Sequence, residues 1–469
     1  MDKYVIDFAE SEISKYLIIA SKIKEMIDSN VIEDGEKLPS IRKLAAVCGV
    51  NSVTIVNAYK KLESEGYATQ KIGSGTYAKR KDASINFRRH YSEELKKISG
   101  EAIKEYIDFS GETACSDFFP VEKFKEVINE VLDRDGSDAF VYQEALGYLG
   151  LRESIDNIFW NGSIGRDNIL IVSGAQQGID IVSKAIINVD DGVILEKPTY
   201  SGALSVFRWR RANIFEVSMD DDGINIYELE NIAKKNSIKC IYVMSYFQNP
   251  TGISYSLDKK KALLELAERY DFYIIEDDYL SELIYDDNIH YDSFKSMDIN
   301  DRVIYIKSFS KMFLPGIRIG YMLMPQKFKE GIQNSKVNTD ISTSSLMQRA
   351  LDLYMKKGYW KDHIARLNIA YKERYLFMEK CLNDQFHGSI NFRSPGGGLS
   401  FYIKINEDYD MDCMRLFYKC KKEKVLITPG VIFYKNSMDG RKYFRLGFSE
   451  MDDDKIYRGL EVINNCIIH

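Results

Sequence analysis

Ser308-Phe309-Ser310-Lys311 is followed closely by Pro315-Gly316-Ile317-Arg318. A lone lysine is ordinarily a solvated surface charge. Here one hydroxyl stands three residues before the amine, another stands beside it, and a guanidinium follows seven residues later. Hydroxyls and a guanidinium converging on one amine describe a phosphate pocket beside a reactive nitrogen. Partial burial and neighbouring charge would depress that amine's pKa, as imine chemistry requires. Upstream, Ile275-Glu276-Asp277-Asp278-Tyr279, Asn249-Pro250-Thr251-Gly252 and Ser173-Gly174-Ala175-Gln176 each close an apolar, β-rich run. Alone, the first reads as a solvated loop or cap and the second as a common turn. Their shared position at strand ends is the stronger signal, because open α/β sheets bind ligands outside the carboxyl ends of their strands. Free amides where the third segment opens a helix suit a phosphate.

This set meets the needs of pyridoxal 5′-phosphate: a lysine for a Schiff base, an acid to keep the pyridine nitrogen protonated, donors for the phosphate and a flat cover for the ring.

The elements that would position these residues come from periodicity. Short β-rich runs at 169–173, 193–196, 240–246, 272–276 and 303–306 alternate with helical spacing such as 257–270. Alternation of this kind predicts a mostly parallel sheet covered by helices on both faces. After about residue 340, helical segments lead into strand-like runs at 399–405 and 443–448, a smaller α/β subdomain. The stretch 246–248 and the glycine-rich 394–400 are candidates to line a ligand pocket.

The N-terminal region reads differently. Residues 1–35 hold four Lys against eight Asp/Glu, and residues 36–80 hold eight Lys/Arg against three Glu. The change of sign suggests a charged working face behind an acidic edge. Ile13, Leu17, Ala20, Ile23 and Ile27 make one helical face. Ser40 caps a second helix that Gly49 ends. Asn51 or Ser52 caps a third that Gly66 stops, and Gly73-Ser74-Gly75 turns a hairpin. A helix-turn-helix sets its second helix in the major groove of double-stranded DNA. Asn51, Ser52, Thr54 and Asn57 are candidate groove residues, Ser40, Arg42 and Tyr59 candidate contacts beside them, and Lys60, Lys71 and Gly75 candidate backbone contacts. Residues 81–105, with six Lys/Arg and five Asp/Glu and no long apolar period, read as a partly helical linker.

Composition bounds the rest. A chain of 469 residues exceeds one ordinary core, so two or three domains are expected. A net charge of −6 excludes a polyanion-binding coat over the whole surface, though not a local patch. No apolar run approaches the ~18 residues of a membrane helix, and the start of the sequence has no secretory pattern. Seven scattered cysteines, odd in number and without a C-x-x-C pair, fit free thiols in a reducing cytoplasm and no metal site.

Residues 35–45, 53–62 and the wing Gly73-Ser74-Gly75-Thr76 resemble the winged-helix head of GntR-type transcription regulators, with Asn51-Ser52 where that family usually carries Ser-Arg. Residues 107–469 resemble fold-type I aminotransferases. That resemblance implies Lys311 as the lysine of the internal aldimine, Asp277 on the pyridine nitrogen, and Tyr279 and Asn249 on the ring 3′-oxygen. It implies Gly174, Ala175, Gln176, Ser308, Ser310 and Arg318 around the phosphate, with Tyr200 stacked on the ring. Tyr142 would reach the phosphate of the neighbouring subunit, and Arg445 would take a substrate α-carboxylate. Together the two parts resemble the MocR/GabR-type regulators. The expected architecture is α/β: a winged helix-turn-helix (1–80), a linker (81–105) and a fold-type I aminotransferase-like body (106–469). The implied protein is a cytoplasmic, head-to-tail homodimer with shared active sites. Its DNA binding would answer to pyridoxal 5′-phosphate, to a small amino compound that forms an external aldimine, or to both. The rival is an aminotransferase with an accessory head.

Overall fold

The structure, a computed structural model, describes Tyr4 and residues 14–28, 31–32, 35–71, 74–78, 83–98 and 100–469. It divides into two compact units, Met1–Lys97 and Ile98–His469.

The first unit is built on three helices, α1 (Lys15–Asp28), α2 (Ile41–Cys48) and α3 (Ser52–Ser64), followed by an antiparallel hairpin of β1 (Ala68–Lys71) and β2 (Gly75–Ala78). Ser40 caps α2 by accepting from the Lys43 amide, and Gly49 ends it in the left-handed region. Asn51, not Ser52, caps α3 by accepting from the Thr54 amide. Ile19, Ile23, Ile27, Leu44, Ile55 and Leu62 close the small core. Ile19 is buried and Leu17 only half-buried, a small rotation of the expected face; Ile13 lies outside the described residues. The expected linker, 81–105, carries α4 (Ala83–Ile98) and a 3-10 turn at Gly100–Glu105.

The second unit centres on an eight-stranded sheet. Its members are β4 (Ile169–Val172), β5 (Gly192–Lys197), β6 (Asn213–Asp220), β7 (Gly223–Ile224), β8 (Ile238–Val243), β9 (Tyr273–Asp278), β10 (Val303–Ser308) and β11 (Gly320–Leu323), in the order β4-β11-β10-β9-β8-β5-β6-β7. The central run β10-β9-β8-β5-β6 is parallel, while β11 is antiparallel to both of its neighbours. The parallel strands are near-continuous apolar runs because helices cover both faces. The helices of this part are α5 (Val121–Asp135), α6 (Leu149–Trp160), α7 (Ala175–Ile186), α8 (Ser201–Trp209), α9 (Ile226–Lys235), α10 (Leu257–Arg269) and α11 (Phe294–Met297). α12 (Lys329–Asp340), α13 (Ser345–Lys356) and the long α14 (Tyr359–Gln385) follow.

A four-stranded sheet holds β12 (Ile390–Phe392), β13 (Ser400–Ile405), β15 (Thr428–Pro429) and β16 (Tyr443–Gly447), in the order β12-β13-β16-β15. Helix α15 (Cys413–Lys422) packs with it, α16 (Asp453–Ile468) packs on α14 and α15, and β3 (Ile107–Asp108) pairs with β14 (Val425–Leu426). All seven cysteines are free. Among the described residues no helix is long and apolar enough to cross a membrane, and no cluster could hold a metal ion.

Candidate functional site

The carboxyl ends of β4, β8, β9 and β10 carry the residues singled out by their chemistry. Lys311 follows β10 in a turn, and among the described residues its amine has no hydrogen bond or ion pair. Burial holds that amine below the usual lysine value, opposed by the charge of Glu112 and assisted by that of Arg445.

Asp277 lies at the end of β9, 2% exposed. Its Oδ2 accepts from the Tyr242 hydroxyl at 2.6 Å, and its Oδ1 is buried with no partner. Burial raises this carboxyl to about 7 against the Tyr242 hydrogen bond. An orphaned buried carboxylate oxygen is costly unless something donates to it. A protonated pyridine nitrogen is a donor of the right charge.

The anion cup forms where β4 meets α7. Gly174 precedes α7 at φ 96 with no side-chain cap, so the first-turn amides of Ala175 and Gln176 lack a capping oxygen. Arg318 donates to the Ser173 carbonyl at 2.9 Å and the Ser310 hydroxyl at 3.2 Å. The Ser308 hydroxyl accepts from the Ser310 amide at 3.2 Å. A Cβ on Gly174 would stand 2.7 Å from Arg318 Nη2, so this approach requires glycine. The Tyr200 hydroxyl donates to Gln176 Oε1 at 3.2 Å, which fixes the ring, and burial pushes this phenol up to about 12.

Several other expected site residues already have partners within the chain. One amide hydrogen of Asn249 is spent on Glu112 Oε2 at 2.9 Å. The Tyr279 hydroxyl donates to the Phe247 carbonyl at 2.9 Å. Tyr279 therefore offers a ring oxygen nothing unless that bond is released. Arg445, expected as an open carboxylate seat, is paired with Glu112 at 2.8 Å. Tyr142 joins nothing in its own chain's site and is 78% exposed. Within 246–248, Phe247 lies against the glycine-rich loop, at Gly397 and Gly398. Tyr246 donates to the His290 carbonyl, and Gln248 donates to buried Glu196. Glu112, Tyr242 and Ser110 were missed by sequence reasoning, whereas Ser400, which donates to Glu112, ends the glycine-rich stretch 394–400. No spacing rule marks a buried carboxylate that depends on residues more than a hundred positions away.

In the head, Arg42, Ser52, Asn57 and Lys60 are exposed along α2 and α3, and Ser40 and Gly75 are exposed beside them. Asn51 Oδ1 already accepts from the Thr54 amide and hydroxyl, both at 2.8 Å, so only its NH2 group is left for a base. Tyr59 is a correction. It is 1% exposed, and its hydroxyl donates to the Pro39 carbonyl at 2.7 Å, tying α3 to the turn before α2. It is a core residue with no atom to offer DNA. The Lys71 side chain and residues 72–73 at the wing tip lie outside the described residues.

Comparison with known proteins bears on both units. The family described as aminotransferase class I and II matches residues 113–463, and that of bacterial regulatory proteins, gntR family, matches 15–78. The HTH-type transcriptional regulator NorG of Staphylococcus aureus is 30% identical over 90% of this chain and 98% of its own length. Aromatic-amino-acid aminotransferase 1 of Thermococcus litoralis is 29% identical over 82% of this chain and 95% of its own. The crystal structure of Pyrococcus horikoshii kynurenine aminotransferase, in complex with PMP, aligns with a TM-score of 0.75. It shares 30% identity with this chain, over 81% of this chain and 94% of its own. A DNA-binding head of the GntR type and a complete aminotransferase-like body in one polypeptide thus have full-length regulator relatives, and the chain belongs to the aminotransferase class I and II family and, as a regulator, to the MocR/GabR-type subfamily of GntR proteins.

Proposed function

We propose that this regulator holds pyridoxal 5′-phosphate at Lys311 and that a small amino compound arriving there changes its affinity for operator DNA. The observation that carries the reading is the buried, unpartnered Asp277 Oδ1 behind a depressed Lys311 amine, in a chain that also bears a winged head. Bound there, the cofactor supplies an aldehyde carbon that condenses reversibly with primary amines.

The chain's own residues do the rest. Asp277 holds a proton at the ring nitrogen, with Tyr242 orienting the carboxylate. Arg318, Ser308, Ser310 and the first-turn amides of α7 hold the phosphate, and Tyr200 covers the ring. Lys311 is the amine an effector competes with, and burial holds its pKa below the usual lysine value. The effector acts on DNA binding only through its different affinity for two states of the protein. Exposed Phe140, Val141 and Tyr142 support a homodimer in which Tyr142 reaches the partner's phosphate.

An aminotransferase with an accessory head is the second reading. The complete set of Lys311, Asp277, Asn249 and Tyr279 favours it, as does the likeness to the Thermococcus enzyme. One experiment separates the two. The absorption band of the loaded protein is followed as amines are added, with and without a keto acid, while operator affinity is measured in parallel. The regulator reading expects a spectral change, altered DNA affinity and no sustained keto-acid turnover, with both responses lost in Lys311→Ala. Effector-dependent DNA binding that survives Lys311→Ala overturns it, and sustained turnover favours the enzyme.

A further inference from the structure

Arg445 leaves β16 near the middle of the strand, and its charge is already matched inside the chain. Nη1 donates to Glu112 Oε2 and to Asn249 Oδ1, both at 2.8 Å, and Nη2 donates to the Ser110 carbonyl at 3.0 Å. Glu112 is itself 3% exposed. Its Oε1 accepts from the Ser400 hydroxyl at 2.6 Å, and Asn249 donates to its Oε2 at 2.9 Å. Four side chains thus form a closed, charge-neutral group where the fold resemblance implies a seat for a substrate α-carboxylate.

The arrangement is set by backbone packing. The segment bearing Ser110 and Glu112 lies directly on the end of β16. The Gly447 amide donates to the Phe109 carbonyl at 2.8 Å, and a Cβ on Gly447 would stand 1.9 Å from the Gly111 carbonyl oxygen. Glu112 therefore reaches Arg445 from a fixed main chain.

One donor of the guanidinium, Nε, is buried and unpartnered. A ligand carboxylate drawn to it would share one cation with Glu112. Two carboxylates that close repel, and the cost grows where water is excluded. Like-charge juxtaposition is a standard means of rejecting a ligand.

We propose that Glu112 is the specificity-determining residue of the amine pocket: by taking up the charge of Arg445 it makes the site prefer primary amines with neutral or cationic tails over amines of the same length that end in a carboxylate. This deepens the reading of the body as an amine-responsive pyridoxal phosphate site and rests on it. Arg445 then serves chiefly to hold Glu112 and Asn249 in place, and Ser400 fixes the second carboxylate oxygen.

The test uses the full-length chain with pentylamine, 1,5-diaminopentane and 5-aminopentanoate, each titrated against the cofactor band. Pentanoate, which has no amine, is titrated by calorimetry against the cofactor-free chain. The wild type is expected to bind the two carboxylate-free amines more tightly. Glu112→Gln keeps the shape and, through its carbonyl oxygen, the bonds from Arg445 and Asn249; its NH2 donates to the Ser400 hydroxyl in place of accepting from it, and the charge is removed, so it is expected to tighten 5-aminopentanoate and pentanoate by about tenfold to hundredfold. Glu112→Asp keeps the charge and is expected to stay near the wild type. Unchanged carboxylate affinities in a folded Glu112→Gln overturn the proposal. So does a Glu112→Asp that behaves like Glu112→Gln, since packing would then be the cause. A wild type without any cofactor band sinks the cofactor reading instead, and the pentanoate titration still decides the role of Glu112.

Discussion

Asp277 sits in an environment far from that of a free carboxylate. Its folded value of about 7 stands above the model-peptide 3.8, so the native chain binds the proton more tightly than the unfolded chain between those values. The contribution of Asp277 to the stability of the cofactor-free protein therefore falls as pH rises from about 4 to about 7, and its full penalty, on the order of a few kcal/mol, is present above that window. Asp277→Asn removes it. Its melting temperature without cofactor is expected to exceed the wild type's clearly at pH 8 and by much less at pH 4.5, where only about 1 kcal/mol of the penalty is present. Pyridoxal phosphate at pH 8 should stabilise the wild type far more than the variant, because only the wild type offers a carboxylate to the ring nitrogen. Thermal melts at the two pH values check both statements, and equal stabilisation of the two proteins by cofactor would remove Asp277 from the site.

At the scale of elements, the head separates residues that build it from residues that touch DNA. Asn51→Ala removes the cap of α3, and Tyr59→Phe removes the bond from α3 to Pro39; each is expected to destabilise the head by about 1 kcal/mol. Arg42→Ala and Lys60→Ala, both exposed, should leave stability alone, weaken binding to all sequences alike and lower the salt slope of DNA affinity by about one. Melting curves and binding at several salt concentrations distinguish the two sets. A Tyr59→Phe variant that changed the salt slope would put that hydroxyl back at the DNA surface.

The whole-molecule question is the dimer. Tyr142 is 78% exposed in its own chain, beside exposed Phe140 and Val141. A head-to-tail pair sharing active sites makes this surface part of the neighbour's phosphate pocket. Tyr142→Ala should then lower cofactor affinity by about tenfold, the loss of one good hydrogen bond to a charged group. Cofactor affinity should also fall on dilution below the dimer's dissociation constant. Fluorimetric cofactor titration at several protein concentrations measures both. An unchanged cofactor affinity in Tyr142→Ala would leave the shared-site dimer without its residue.

Local chemistry made much of this protein legible from its sequence. The caps Ser40 and Asn51, the stops at Gly49 and Gly66, and the apolar runs that became β4, β5, β8, β9 and β10 are short-range features, where a residue's type fixes its conformation. The same holds for the placing of Lys311, Asp277 and Gly174 at strand ends, since a strand's end is visible in its own residues. Strands β6, β7 and β11 gave no such sign, because their pairing partners rather than their composition make them strands. Tyr59 looked like a polar contact residue until the packing of α1 against α3 buried it. Only the tertiary structure brought Glu112 to Arg445, across 333 positions, through a backbone contact that Gly447 permits. Charge neutralisation in a buried site depends on who the neighbours are, and neighbours that far apart in the chain are chosen by the fold.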